Sequence, residues 1–166
     1  MDGKQLCQVY LAEMKAESTA TRNCLERIPE STYKFKPHEK SMEMGYLTLL
    51  VADIPRWIEK MIEKSVIDFT TDERFPLSTT DKLLGWYDKH LEGAYNALAN
   101  ITDESLNKQF ELKNGGQLLW ASPKLEAIEN TINHWIHHRG QLTVYMRMND
   151  IAVPSIYGPS GDTKGF

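Results

Sequence analysis

The chain has 166 residues, 41% of them hydrophobic and 25% charged, with a formal net charge of −4. That length suits one domain with a real core, and the acidic balance argues against the basic stripe of a nucleic-acid surface. No run approaches the ~18 uncharged apolar residues of a membrane span, and the opening "MDGKQLCQVY" lacks the basic-then-apolar order of a signal peptide, so a cytoplasmic protein without nucleic-acid or membrane partners is expected.

Four helical segments are predicted, in chain order. The first covers residues 3–27 and stops before Ile28-Pro29. Its apolar stripe of Leu6, Tyr10, Met14, Cys24, Leu25 and Ile28 has Glu17 at its centre. Cys7 and Cys24 would lie roughly 25 Å apart along it, beyond the ~7 Å a disulfide can bridge, and two unpaired cysteines fit a reducing compartment. The second helix covers residues 43–64, with Ser41 as its expected cap and a kink at Pro55. The third, residues 80–100, is entered through Ser78, Thr79 and Thr80; on this wetter helix His90 reads as a surface residue. The stretch "NKQFELKNGGQLLWAS" carries Asn114-Gly115 between short apolar runs, which signals either a hairpin or a plain loop. The fourth helix covers residues 123–148, with Pro123 suited to a first turn. The tail, residues 150–166, is irregular. The pattern predicts an all-α four-helix bundle as a single domain over residues 1–166, its four tryptophans serving as core or dimer-interface aromatics.

The fourth helix carries three of the chain's five histidines within "NHWIHHRGQL". Winding it at 100° per residue places Leu125, Ile128, Ile132, Trp135, Leu142 and Met146 on a core arc. His134 and His138 share the edge of that arc, whereas His137 falls beside the wet face. An i, i+4 imidazole pair can grip one cation, as in the H-x-x-x-H of metalloproteases. No Glu follows the first His, so a protease is not indicated, and zinc usually wants more than two protein ligands. The pattern alone points more to partly buried, hydrogen-bonded histidines than to a metal site. Glu17, directed at a core, needs a partner: a histidine or metal, or an arginine such as Arg22 or Arg139. His38, in "KPHEKS", is either a further ligand or a local loop cap. Tyr145 either binds substrate or caps the pocket. Gly140 is expected to permit close helix approach.

The blocks "TRNCLERIPESTYKFKPHEKSMEMGYLTLLVADIPRW" and "NHWIHHRGQLTVYMRMNDIAVPSIYGPSGD", and within them "HHRGQLTVY" and "IYGPS", resemble the DinB-like family of bacterial four-helix proteins. The resemblance implies an up-down-down-up bundle, often a homodimer. It also implies a divalent metal, commonly nickel or zinc, on three histidines. Two of those map onto His134 and His138. The third normally stands in a pattern like G-x-L-x-x-H-V-A; the matching "GYLTLLVA" has Leu50 there, and leucine offers no lone pair. Some relatives are thiol S-transferases or isomerases that use mycothiol or bacillithiol.

Three functions follow as expectations. One is a metal-dependent enzyme of the thiol S-transferase type, with His134, His138 and a substitute third ligand or waters. The second is a metal-free member that binds a small molecule or a partner without catalysis. The third is a bundle whose dimer surface carries the function.

Overall fold

A computed structural model of the chain describes residues 2–164; Met1 and the end of the tail, residues 165–166, lie outside the described residues. Helix α1 (Gly3–Leu25) opens on a capping box in which Asp2 and Gln5 satisfy each other's backbone N–H groups. It ends two residues earlier than its periodicity suggests. Pro29 bars Ile28 from the α region, and the chain tightens into i→i−3 bonds from Arg27 to Cys24 and from Ile28 to Leu25. Cys7 and Cys24 are buried and unpaired, and burial pushes both thiols up to about 11.

Helix α2 (Met44–Lys64) has no side-chain cap, so the expectation for Ser41 fails. The preceding loop does the work instead: the carbonyls of Phe35 and Tyr33 accept from the N–H groups of Met44 and Gly45. The helix runs on through Pro55. Proline has no N–H, which leaves the Val51 carbonyl without its i+4 donor. The indole N–H of Trp135 takes that place at 3.0 Å.

The chain is mostly helical but not all-α. After α2 comes a short strand β1 (Val66–Asp68), then α3 (Thr80–Ala99), a single turn α4 (Asp103–Leu106), and a hairpin of β2 (Gln109–Asn114) and β3 (Gln117–Pro123). β1 pairs in parallel with β2, making a three-stranded sheet. Gly115 and Gly116 turn the hairpin with φ of 61° and 80°, values that glycine adopts freely. The Asp68 carboxylate accepts both of their N–H groups, at 2.9 and 2.8 Å. Phe110, Ile67, Met61 and Ala127 form a small core beneath the sheet. The sequence offered only the hairpin half of this unit.

Helix α5 (Lys124–Met148) begins one residue after Pro123, which acts as its N-cap and not as part of its first turn. Cross-helix bonds fix the directions. α1 and α5 run together, through Tyr10–Glu129 and Thr21–Arg139. α2 and α3 run together, through Asp53–Trp86 and Glu59–His90. α2 runs against α5, through Asn149–Met44, Trp135–Val51 and Lys124–Ile62. α1 runs against α3, through Arg22–Asp88 and the Lys15 ammonium over the Tyr95 ring. The main core lies among these four, and no described helix is long and apolar enough to cross a membrane.

Two further expectations fail. His90 is buried, its Nδ1 2.7 Å from Glu59 and its ring edge-on to Trp86; the partner that draws it inward sits on another helix. Gly140 faces open space, with nothing among the described residues within 4 Å of where a Cβ would stand, so it mediates no close helix approach among them.

Candidate functional site

The one-turn spacing of His134 and His138 brings their Nε2 atoms to 2.6 Å, with ring centroids 4.4 Å apart. Nδ1 of His138 lies 2.7 Å from Oε1 of Gln141. An amide oxygen only accepts, so the proton sits on Nδ1 and the Nε2 of His138 carries a lone pair, to which His134 donates. Burial lowers both imidazoles, with the neighbouring His137 adding to it. His134 falls to about 4, the His138 cation also disfavouring its charge; for His138, Gln141 opposes the shift in part. Both rings are therefore neutral at pH 7. The indole of Trp57 packs against His134 with centroids 5.8 Å apart.

The antiparallel alignment of α2 and α5, pinned at Met44–Asn149 and Ile62–Lys124, brings Leu50 level with the turn that carries His138. This is the position at which the family resemblance expects a third imidazole. None of the other candidates replaces it. Glu17 is held by Arg139 at 2.5 Å and accepts from the Tyr157 hydroxyl at 3.0 Å. Arg139, 2% exposed, also donates to the Glu17 carbonyl and to Thr21. Of the two partnerships open to Glu17, the arginine one is present. His38 is exposed, and its Nδ1 accepts from the Lys40 N–H two residues on, a local loop bond. Tyr145 lies edge-on to Phe35, its hydroxyl 3.4 Å from the Met42 carbonyl. Among the described residues no three His, Cys, Asp or Glu side chains converge as a metal cluster. The donor set is two imidazoles and a hydrocarbon, which does not fit a three-histidine ion.

Beside the pair lies a cleft of about 440 Å³ between α2 and the segment that follows β1. Leu49, Leu50, Trp57, Phe69 and Phe75 supply its apolar walls, and Trp57 belongs to both the cleft and the histidine pair. A polar network forms one side. Asp53 accepts from Arg56 Nε and Nη2 at 2.7 and 2.8 Å, from Trp57 Nε1 at 3.0 Å and from Trp86 Nε1 at 2.8 Å. Asp72 accepts from Arg56 at 2.7 Å and from Lys60. Burial opposes the charges of Arg56 and Asp72, yet their mutual bonds win: the guanidinium is raised and the Asp72 carboxyl is lowered. Sequence reasoning passed over this network. A signal did exist in "DIPRW", where Asp53 stands i, i+3 and i, i+4 from Arg56 and Trp57 on an apolar helix. Asp72 comes from a loop and had none.

A comparison with the proteins of known sequence and structure agrees with this architecture. The chain is 23% identical over 165 residues to the uncharacterized protein YrdA of Bacillus subtilis, which spans 91% of this chain and 87% of that one. A crystal structure of the DinB-like protein YjoA of Bacillus subtilis superposes with a TM-score of 0.68 at 20% identity, over 89% of this chain and 96% of that one. A DinB-like protein from Bacillus cereus gives a TM-score of 0.65 at 22% identity, over 89% and 95%. The sequence pattern of the DinB family matches residues 1–163, and this chain belongs to that family.

Proposed function

We propose that this DinB-family chain binds a small molecule in the cleft beside His134 and His138, without a resident metal. The observation that carries the reading is Leu50. It puts hydrocarbon where a third ligand would stand, and the same side chain helps wall the apolar cleft. A volume of about 440 Å³ falls within the roughly 300–1,000 Å³ of small-molecule sites, which pair apolar walls with a few fixed polar groups. Asp53, Arg56, Asp72 and Arg74 in the lining are such groups.

Titration with the neutral dye N-phenyl-1-naphthylamine tests this reading. Wild type should show a saturable fluorescence rise with one site per chain. Leu50→Trp, which fills the cleft, should abolish the rise while keeping its helical circular-dichroism melt. No saturable rise in wild type, or an equal rise in the variant, would reject the cleft as the site.

One observation favours a second reading, a nickel- or zinc-dependent enzyme of the thiol S-transferase type. The two Nε2 atoms lie 2.6 Å apart, and with the His134 proton moved to Nδ1 each would offer a lone pair, two of the four ligands zinc commonly takes. Water or a low-molecular-weight thiol would complete the shell from outside, since both of the chain's own thiols are buried. Nickel or zinc retained by wild type through gel filtration, and lost in His138→Ala, would favour this reading over the first.

A further inference from the structure

The cleft is lined by two cations, Arg56 and Arg74, and two carboxylates, Asp53 and Asp72, which do not pair one to one. Arg56, 2% exposed, stands in its wall and has five N–H groups, of which three are bound: two by Asp53 and one by Asp72. Asp53 accepts four bonds, from Arg56, Trp57 and Trp86, and Asp72 is shared between Arg56 and Lys60. Both carboxylates are therefore occupied by the protein's own donors. Arg74, at the rim, gives one N–H to the Phe69 carbonyl at 2.9 Å and pairs with no carboxylate among the described residues. Lys60, outside the lining, joins Arg56 on these carboxylates, so among the described residues Arg74 is the one charged lining residue without an ionic partner. The Arg74 guanidinium thus stands beside a wall of Leu49, Trp57 and Phe75 with one N–H committed, to the Phe69 carbonyl. Exposed Glu73 is not part of the lining, and the histidine pair adds no charge at neutral pH.

We propose that the cleft selects a small carboxylate with an aromatic or otherwise apolar body. The body lies against Trp57, Phe75 and the leucines, and the carboxylate is held by Arg74 with the spare N–H groups of Arg56. A planar guanidinium suits this task, because its paired N–H groups match the two carboxylate oxygens. A cationic ligand would meet Arg74 with no free acid to offset it, and a neutral one would leave the unpaired charge unused. This inference rests on the cleft being the binding site.

Displacement of bound N-phenyl-1-naphthylamine by two competitors of matched shape separates the two claims. In wild type, 2-naphthoate should displace the dye at about tenfold lower concentration than neutral 2-naphthalenemethanol, the size expected of one charge-assisted contact. In Arg74→Gln that gap should close, each competitor being compared with the other against the dye affinity measured for the same variant. Equal displacement by the two in wild type, or a gap that survives Arg74→Gln, would overturn the carboxylate preference while leaving the cleft in place. Failure of the dye to bind wild type at all would take both claims down together.

Discussion

Trp135 donates its indole N–H, at 3.0 Å, to the Val51 carbonyl that Pro55 leaves without a helical partner. The bond ties α5 to α2 one residue from His134, so it sets the height of the histidine pair against Leu50. Trp135→Phe should destabilise the chain by about 1–3 kcal/mol, through the orphaned carbonyl and the reduced packing. In Pro55→Ala, where the alanine N–H can close the helix onto Val51, the same change should cost at least ~0.5 kcal/mol less. Urea denaturation of the four proteins gives the coupling. Strictly additive costs would mean that the indole and the proline do not share this carbonyl.

His134 gives the fold a defined acid response. Its pKa is depressed from 6.5 to about 4 by burial and by its neighbouring imidazoles, so the unfolded chain binds that proton more tightly. The associated stability is complete above pH 6.5 and is lost as pH falls through the window down to about 4. His134 is only half-buried, which discounts the effect to on the order of 1 kcal/mol. His134→Gln keeps a polar contact but cannot titrate. Between pH 7 and pH 4.5 wild type should lose about that much more stability than the variant; parallel curves would contradict the assignment.

The Arg139–Glu17–Tyr157 cluster is structural, and its variants separate that role from metal binding. Glu17→Ala leaves the nearly buried Arg139 charge without its carboxylate and should cost about 2–4 kcal/mol. Tyr157→Phe removes one hydroxyl that donates to Glu17 and accepts from Arg139, and should cost about 1 kcal/mol. Thermal melts give both values. Neither change should alter metal uptake in any background, whereas loss of metal in Glu17→Ala would make that carboxylate a ligand after all.

The parts that could be read from the sequence are those set by local geometry. A helical period is fixed by the backbone, so His134 and His138 had to meet, with His137 set aside. Leu50 was visible as a departure from a motif. Glu17, isolated in an apolar stripe, announced a need for a partner, and Arg139 was one of the two arginines considered. What stayed hidden depends on partners distant in sequence. His90 is drawn inward by Glu59 from another helix, and β1 becomes a strand only because β2 offers it an edge 45 residues later, at Val66–Glu111. The Asp53–Arg56–Asp72 network needs a loop residue whose placement no periodicity describes. Ser41 does not cap α2 because backbone carbonyls of the preceding loop already satisfy its start.

The central claim, that Leu50 turns this site into a ligand cleft without a resident metal, is tested most directly by metal content. Wild type and Leu50→His should be purified side by side without chelators and measured by elemental mass spectrometry. The predicted result is nickel or zinc far below one ion per chain in wild type and close to one in Leu50→His, with the gain removed by His138→Ala and kept in His137→Ala. A near-stoichiometric ion in wild type that disappears in His138→Ala would contradict the claim and make the two histidines the core of a working metal site.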